Sequence, residues 1–139
     1  MIVLDTNVVS EILRPAAEPR VLEWLEEQPA SSVFTTVVTQ GEILYGIRLL
    51  PDGNRRTKLW MAAEEIFGTD FEGRVLSFDS ESATHYAQIG SSRRTAGRPI
   101  SQFDAIIAAI TRSHGATLAT RNVRDFEGCA IEVLNPWNE

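Results

Sequence analysis

Short apolar runs alternate along this chain with longer stretches whose apolar residues recur every three or four positions. Ile2 to Leu4 is a continuous apolar run that ends at Asp5. Ser32 to Val38 is rich in Val, Phe and Thr. Arg74 to Phe78 follows a glycine, and Ala116 to Thr120 and Ile131 to Leu134 complete a set of about five strands. Runs of this kind fit a parallel sheet buried on both faces. Helical patterns lie between them. Val8 to Arg14 stops at Pro15, and Pro19 to Glu27 carries Val21, Leu22 and Leu25 at helical spacing. Gly41 to Leu50 ends in the turn signal Pro51-Asp52-Gly53, and Arg55 to Phe67 sets Leu59, Ala63, Ile66 and Phe67 on one stripe. Ser80 to Thr95 ends before Ala96-Gly97-Arg98-Pro99. Ser101 to His114 is closed by Gly115, with His114 in the last turn where a cation is favoured. Strands alternating with helices predict an α/β fold, its parallel sheet covered on both sides. Residues 1–139 read as a single domain, without repeat or linker, and the loop from Gly97 to Ser101 is the expected break in regular order.

Composition narrows the function classes. No apolar run reaches the ~18 residues of a membrane span. The N-terminus shows neither the basic region nor the cleavage site of a signal peptide, and the single cysteine, Cys129, cannot form an intramolecular disulfide. A cytoplasmic location is expected. The net charge is -6. A protein that holds nucleic acid by its overall field is basic, so any contact with a phosphodiester must be local. Arg93, Arg94 and Arg98 precede the last long helix and are the candidates for such a contact; the plainer reading is a solvated face.

The chemistry rests on acids. Asp5 ends the first strand, where ligands bind in open α/β sheets. Glu42 follows Thr39 by three residues, and Asp104 follows Ser101 by three. Both pairs match the helix-capping pattern of a hydroxyl followed by an acid, which alone would account for them. Helices of a wound sheet start near the carboxyl ends of the strands they join, however, so Asp5, Glu42, Asp104, Asn122 and Asp125 should all fall along one sheet edge. Asp104 also opens a very apolar helix, Ala105-Ile106-Ile107-Ala108-Ala109-Ile110, and is expected to be partly desolvated. Two carboxylates ~4 Å apart repel by about 4 kcal/mol at an effective dielectric near 20. A divalent cation removes that conflict, and oxygen-only ligands select Mg²⁺ or Mn²⁺. The chemistry implied is hydrolysis of a phosphate ester. Thr6 and Thr120 are placed to orient carboxylates or water, or to cap helices. Gly-rich phosphate loops and serine-nucleophile elbows are absent, and His85 and His114 are too far apart to form a zinc pair on one helix.

Ile2-Val3-Leu4-Asp5-Thr6-Asn7, Thr39-Gln40-Gly41-Glu42-Ile43-Leu44-Tyr45-Gly46, Ile100-Ser101-Gln102-Phe103-Asp104-Ala105 and Thr120-Arg121-Asn122-Val123-Arg124-Asp125-Phe126 resemble the PIN-domain ribonucleases, and among them the VapC toxins of toxin–antitoxin pairs. Leu49-Leu50-Pro51-Asp52-Gly53 and the ending Asn135-Pro136-Trp137 are similar to the FitB-like branch. The resemblance implies a three-layer α/β/α sandwich and a Mg²⁺-dependent endoribonuclease held in check by a small antitoxin. DNA would then be contacted only through that partner. It implies Asp5 and Asp104 as magnesium ligands with Glu42 completing the acidic core. Where many members carry a fourth acid, this chain has Asn122, and Asp125 three residues later is the candidate substitute. Members are commonly dimers, so Trp60 with Leu59 and Met61 would supply part of a self-contact or else pack into the core. Two other readings compete: a non-catalytic module binding a partner within a DNA-binding complex, and a different phosphate-ester hydrolase on the same fold.

Overall fold

The computed structural model describes residues 1–139. Five strands form one sheet: β1 (Ile2–Leu4), β2 (Val33–Thr36), β3 (Val75–Leu76), β4 (Thr117–Ala119) and β5 (Glu132–Leu134). Their order is β3-β2-β1-β4-β5, and every neighbouring pair is parallel. The chain winds outward from β1 to β3, then returns to lay β4 on the other side of β1. The direction of winding therefore reverses between β1 and β4. A crevice opens at such a reversal, beyond the carboxyl ends of the two strands.

Successive strand residues face opposite sides, and this divides the core in two. Leu4, Val33 and Ala119 meet α1 (Thr6–Leu13), α2 (Pro19–Glu26), α3 (Val37–Arg48) and α4 (Asn54–Glu65) through Val8, Val9, Val21, Trp24, Ile43, Ile47 and Ala63. Val3 and Leu118 face the other way, against α5 (Ser80–Thr95) and α6 (Gln102–Ser113), through Ile89, Ile107, Ala108 and Ala109. The result is the expected three-layer α/β/α sandwich. No helix is long and apolar enough to cross a membrane.

Local chemistry moved some boundaries. β2 stops at Thr36 rather than Val38, because the Thr36 hydroxyl accepts a hydrogen bond from the Thr39 N–H at 3.1 Å and caps α3 four residues before Gly41. The β-branched pair Val37-Val38 reads as strand but opens a helix. The Thr39–Glu42 capping box is thereby overturned: Glu42 lies in the second turn of α3, free of any capping role. The Ser101 cap holds, its hydroxyl accepting from the Asp104 N–H at 3.3 Å. β3 shrinks to two residues at the sheet edge. Trp60 is half-buried against the first core, while Met61 stays 64% exposed. His114 caps α6, whereas His85 keeps a buried Nδ1 without a hydrogen-bond partner.

Leu118, on a central strand and without solvent contact, carries much of the second core. Leu118→Ala is expected to cost about 2–5 kcal/mol, read as a lower urea midpoint with an unchanged slope.

Candidate active site

The site begins where β1 runs out. The Asp5 N–H donates to the Ala119 carbonyl at 3.1 Å, and the Leu4 carbonyl accepts from the Thr35 hydroxyl at 3.0 Å. Both neighbours of β1 thus fix its last turn. Asp5 is the N-cap of α1, with Oδ1 accepting from the Val8 N–H at 3.0 Å. Its Oδ2 accepts from the Thr120 hydroxyl at 2.5 Å, across the β1–β4 reversal. Both carboxylate oxygens are held, yet each retains a free lone pair. Only 4% of Asp5 is exposed. Burial pushes its pKa from 3.8 up to about 6, against the opposing hydrogen bonds from Thr120 and Val8, and the negative charge of Asp104 adds to the rise.

Asp104 enters from the first turn of α6. Burial raises its pKa most; the Ser101 hydroxyl opposes this, the Asp125 charge adds to it, and the Arg93 charge opposes it. Glu42 enters from α3, where Oε1 accepts from the Thr6 hydroxyl at 2.7 Å. Thr6 also lies 3.2 Å from the Thr39 hydroxyl, so a short hydroxyl chain orients Glu42.

Asp5, Glu42 and Asp104 line one hollow of about 500 Å³. Asn122 and Phe126 form another part of its wall, and Phe103 stands at it half exposed. No Lys, Arg or His belongs to the lining. Asp125 lies outside it, exposed on the short turn Val123–Phe126, and reaches the site only through its field on Asp104. The position in the wall that sequence left open between Asn122 and Asp125 is thus taken by the amide.

The arginine cluster comes apart. Arg93 is buried and bonded to backbone carbonyls, so it is removed from the candidates for RNA contact. Arg98 is exposed and paired with Glu127 at 2.8 Å, and Arg94 is exposed. Sequence reasoning found Thr6 and Thr120 as possible orienting groups but took Thr39 for a cap. Its part in holding Glu42 has no signal without knowing where α3 starts.

The donor set fits a hard divalent cation. Three carboxylates face one hollow without a counter-charge, and every further donor of the lining that suits a cation is an oxygen. No three His, Cys, Asp or Glu side chains converge closely enough to enclose an ion by themselves. That suits magnesium, which binds through one or two carboxylates and keeps water or substrate oxygens for the rest.

A doubly wound parallel sheet with an acidic hollow at its reversal point defines the class as an α/β domain with its candidate site at the carboxyl ends of the strands. Comparison with known proteins sharpens this. The family model "PIN domain" matches residues 2–130. The chain is 39% identical to "Toxin FitB" of Neisseria gonorrhoeae over 139 residues, covering 100% of both chains. It is 35% identical to "VapC ribonuclease Y4jK" of Sinorhizobium fredii over 137 residues, 99% of this chain and 98% of the relative. Among solved structures, one described as FitAB bound to an IR36 DNA fragment superposes with a TM-score of 0.92 at 39% identity, over 99% of this chain and 96% of that one. The chain belongs to the PIN-domain family.

The Asp5 shift has a definite sign. The folded chain holds the Asp5 proton more tightly than the unfolded chain, so protonation favours folding. That advantage is complete below about pH 4 and is lost as pH rises through about 6. In metal-free buffer, stability is expected to fall across this window, Asp5 contributing on the order of 3 kcal/mol. Asp5→Asn should flatten that part of the profile and raise stability near neutral pH, measured by urea unfolding at a series of pH values.

Proposed function

We propose that this protein is a Mg²⁺-dependent endoribonuclease, the toxin of a toxin–antitoxin pair, and that Asp5 and Asp104 hold the ion, with Glu42 completing the acidic core around it. The observation that carries this reading is the buried Asp5 carboxylate, fixed by Thr120 and Val8 and facing two further acids in a hollow without a cation of its own. PIN-domain nucleases as a class depend on divalent metal. A cation bound among these acids supplies an acidified water and offsets charge developing on a phosphodiester.

The chain's own groups do the positioning. Thr120 and the Val8 N–H keep Asp5 in one orientation, so no reorganisation is needed when an ion enters. Thr6, backed by Thr39, holds the Glu42 carboxylate. Asp104 rides on a helix anchored by buried Ala105, Ile107 and Ala108, so its backbone cannot drift. Without the cation the three acids repel a phosphodiester; with it they admit one. Asn122 offers an amide oxygen where a fourth charge would otherwise stand, which weakens the hold on a second ion. Asp125 contributes through its field.

The partner is a small antitoxin, and DNA is reached through it. The FitAB complex with DNA supports that assignment, since its FitB-type chain shares nearly the whole length of this one. An arginine from such a partner, placed among the acids, would meet the same electrostatic demand as the ion.

Purified protein free of its partner is expected to cleave RNA with added Mg²⁺ or Mn²⁺. Asp5→Asn and Asp104→Asn should each lower kcat by at least about 100-fold while circular dichroism stays that of the wild type. An inactive wild type in both metals would reject the proposal. Thermal melting gives an activity-independent check. At about 100 times the dissociation constant, a bound ion stabilises by about 2.7 kcal/mol, and Asp104→Ala should lose the Mg²⁺-dependent upward shift. Equal shifts in both proteins would place the ion elsewhere.

A further inference from the structure

Arg93 differs from the chain's other cations in being buried, 7% exposed, with no carboxylate in hydrogen-bond contact. Its Nε–H donates to the Arg98 carbonyl at 2.7 Å. Its Nη1 donates to the carbonyls of Asp125 at 2.8 Å and Glu127 at 3.0 Å, with Cys129 Sγ at 3.6 Å. The backbone curls around this group. Gly128 has φ of 78° and Ala130 has φ of 57°, the latter a left-handed conformation that a residue with a Cβ seldom adopts. A Cβ built on Gly128 would lie 3.5 Å from Arg93 Cδ.

The two segments that Arg93 ties together lead to the two parts of the hollow that flank Asp104. Arg98 precedes Ser101, which caps the helix bearing Asp104. Asp125 and Glu127 bracket Phe126, and with Asn122 that residue lines the hollow. Resting on the nuclease reading above, we propose that Arg93 is a positioning residue: its buried guanidinium sets the Asp104 helix start against the Asn122–Phe126 turn through backbone carbonyls and touches no RNA. A planar fork with several fixed N–H donors can span carbonyls from two segments; a lysine ammonium keeps the charge but not the fork. A buried cation also costs solvation that an apolar side chain would avoid. What the guanidinium provides in return is a fixed registration of two loops that share no other side-chain bond except the exposed Arg98–Glu127 pair.

The test compares wild type with Arg93→Lys. Three measurements are made: amide hydrogen exchange, RNA cleavage kinetics, and the Mg²⁺ concentration that half-saturates the melting shift. The expected variant is folded, with faster exchange confined to residues 98–101 and 122–129. Its kcat falls about 10–100-fold, the range for groups that orient metal ligands; KM stays within about twofold, and the half-saturating Mg²⁺ concentration rises. Unchanged exchange and kcat would overturn the proposal. So would a raised KM with kcat retained and a flatter salt dependence, which is the signature of a lost phosphate contact. A loss of kcat no larger than the unfolded fraction would reduce Arg93 to a structural role and overturn it too. Should Arg93→Lys not fold, Gly128→Ala strains the same turn with the guanidinium intact and is expected to give the same pattern in milder form; wild-type exchange and kcat there would refute the idea. If the wild type cuts no RNA, the nuclease reading fails, and the exchange and Mg²⁺ measurements still decide whether Arg93 orders this wall.

Discussion

The Asp5–Thr120 hydrogen bond joins the ends of the two central strands at the point where the sheet reverses its winding. The rest of the site is arranged around it. Asp5 is at once the last residue of a strand turn, the cap of α1 and the most buried acid in the hollow. A carboxylate in that position is costly to keep charged, and its partners are those that offset the cost without neutralising it: one backbone N–H and one hydroxyl. An arginine there would have stabilised the fold and filled the space an ion needs. The site therefore keeps its charge uncompensated, a local sacrifice of stability of the kind found where function demands it.

Buried charge of the opposite sign sits behind the site wall. Arg93 lies far enough from the hollow to stay out of its lining, yet its charge is felt by Asp104. The two are not an ion pair. The guanidinium satisfies its donors on carbonyls, and the carboxylate remains open to the hollow. The contrast is Glu11, a buried residue of α1 bonded to Arg14 and to the Glu18 N–H, where the pairing is direct and holds the α1–α2 connection. Direct pairing stabilises a loop; indirect placement leaves an acid available.

Much of this was legible in the chain itself. Five apolar runs became five strands, the inner ones packed against helices on both faces, and helices end shortly before Pro15, Pro51 and Gly115. Asp5, Glu42 and Asp104 could be assigned to one edge because helices of a wound sheet start near the carboxyl ends of the strands they join. What stayed illegible depended on competition between near-equal local options. Val37-Val38 suits a strand, and only the Thr36 hydroxyl taking the Thr39 N–H decides for helix. Arg93, Arg94 and Arg98 look alike in sequence; which of them is buried depends on loops arriving from residues 122–129, far along the chain. Asn122 and Asp125 are separated by a single tight turn, and the turn's direction, not its composition, chooses which one faces the hollow.

The strand order has a consequence in time. Thr120, which completes the cradle of Asp5, follows it 115 positions later along the chain. β1 can pair with β2 early, but its other flank stays bare until β4 arrives. During synthesis the Asp5 cradle therefore stays unfinished until Thr120 has been added to the chain.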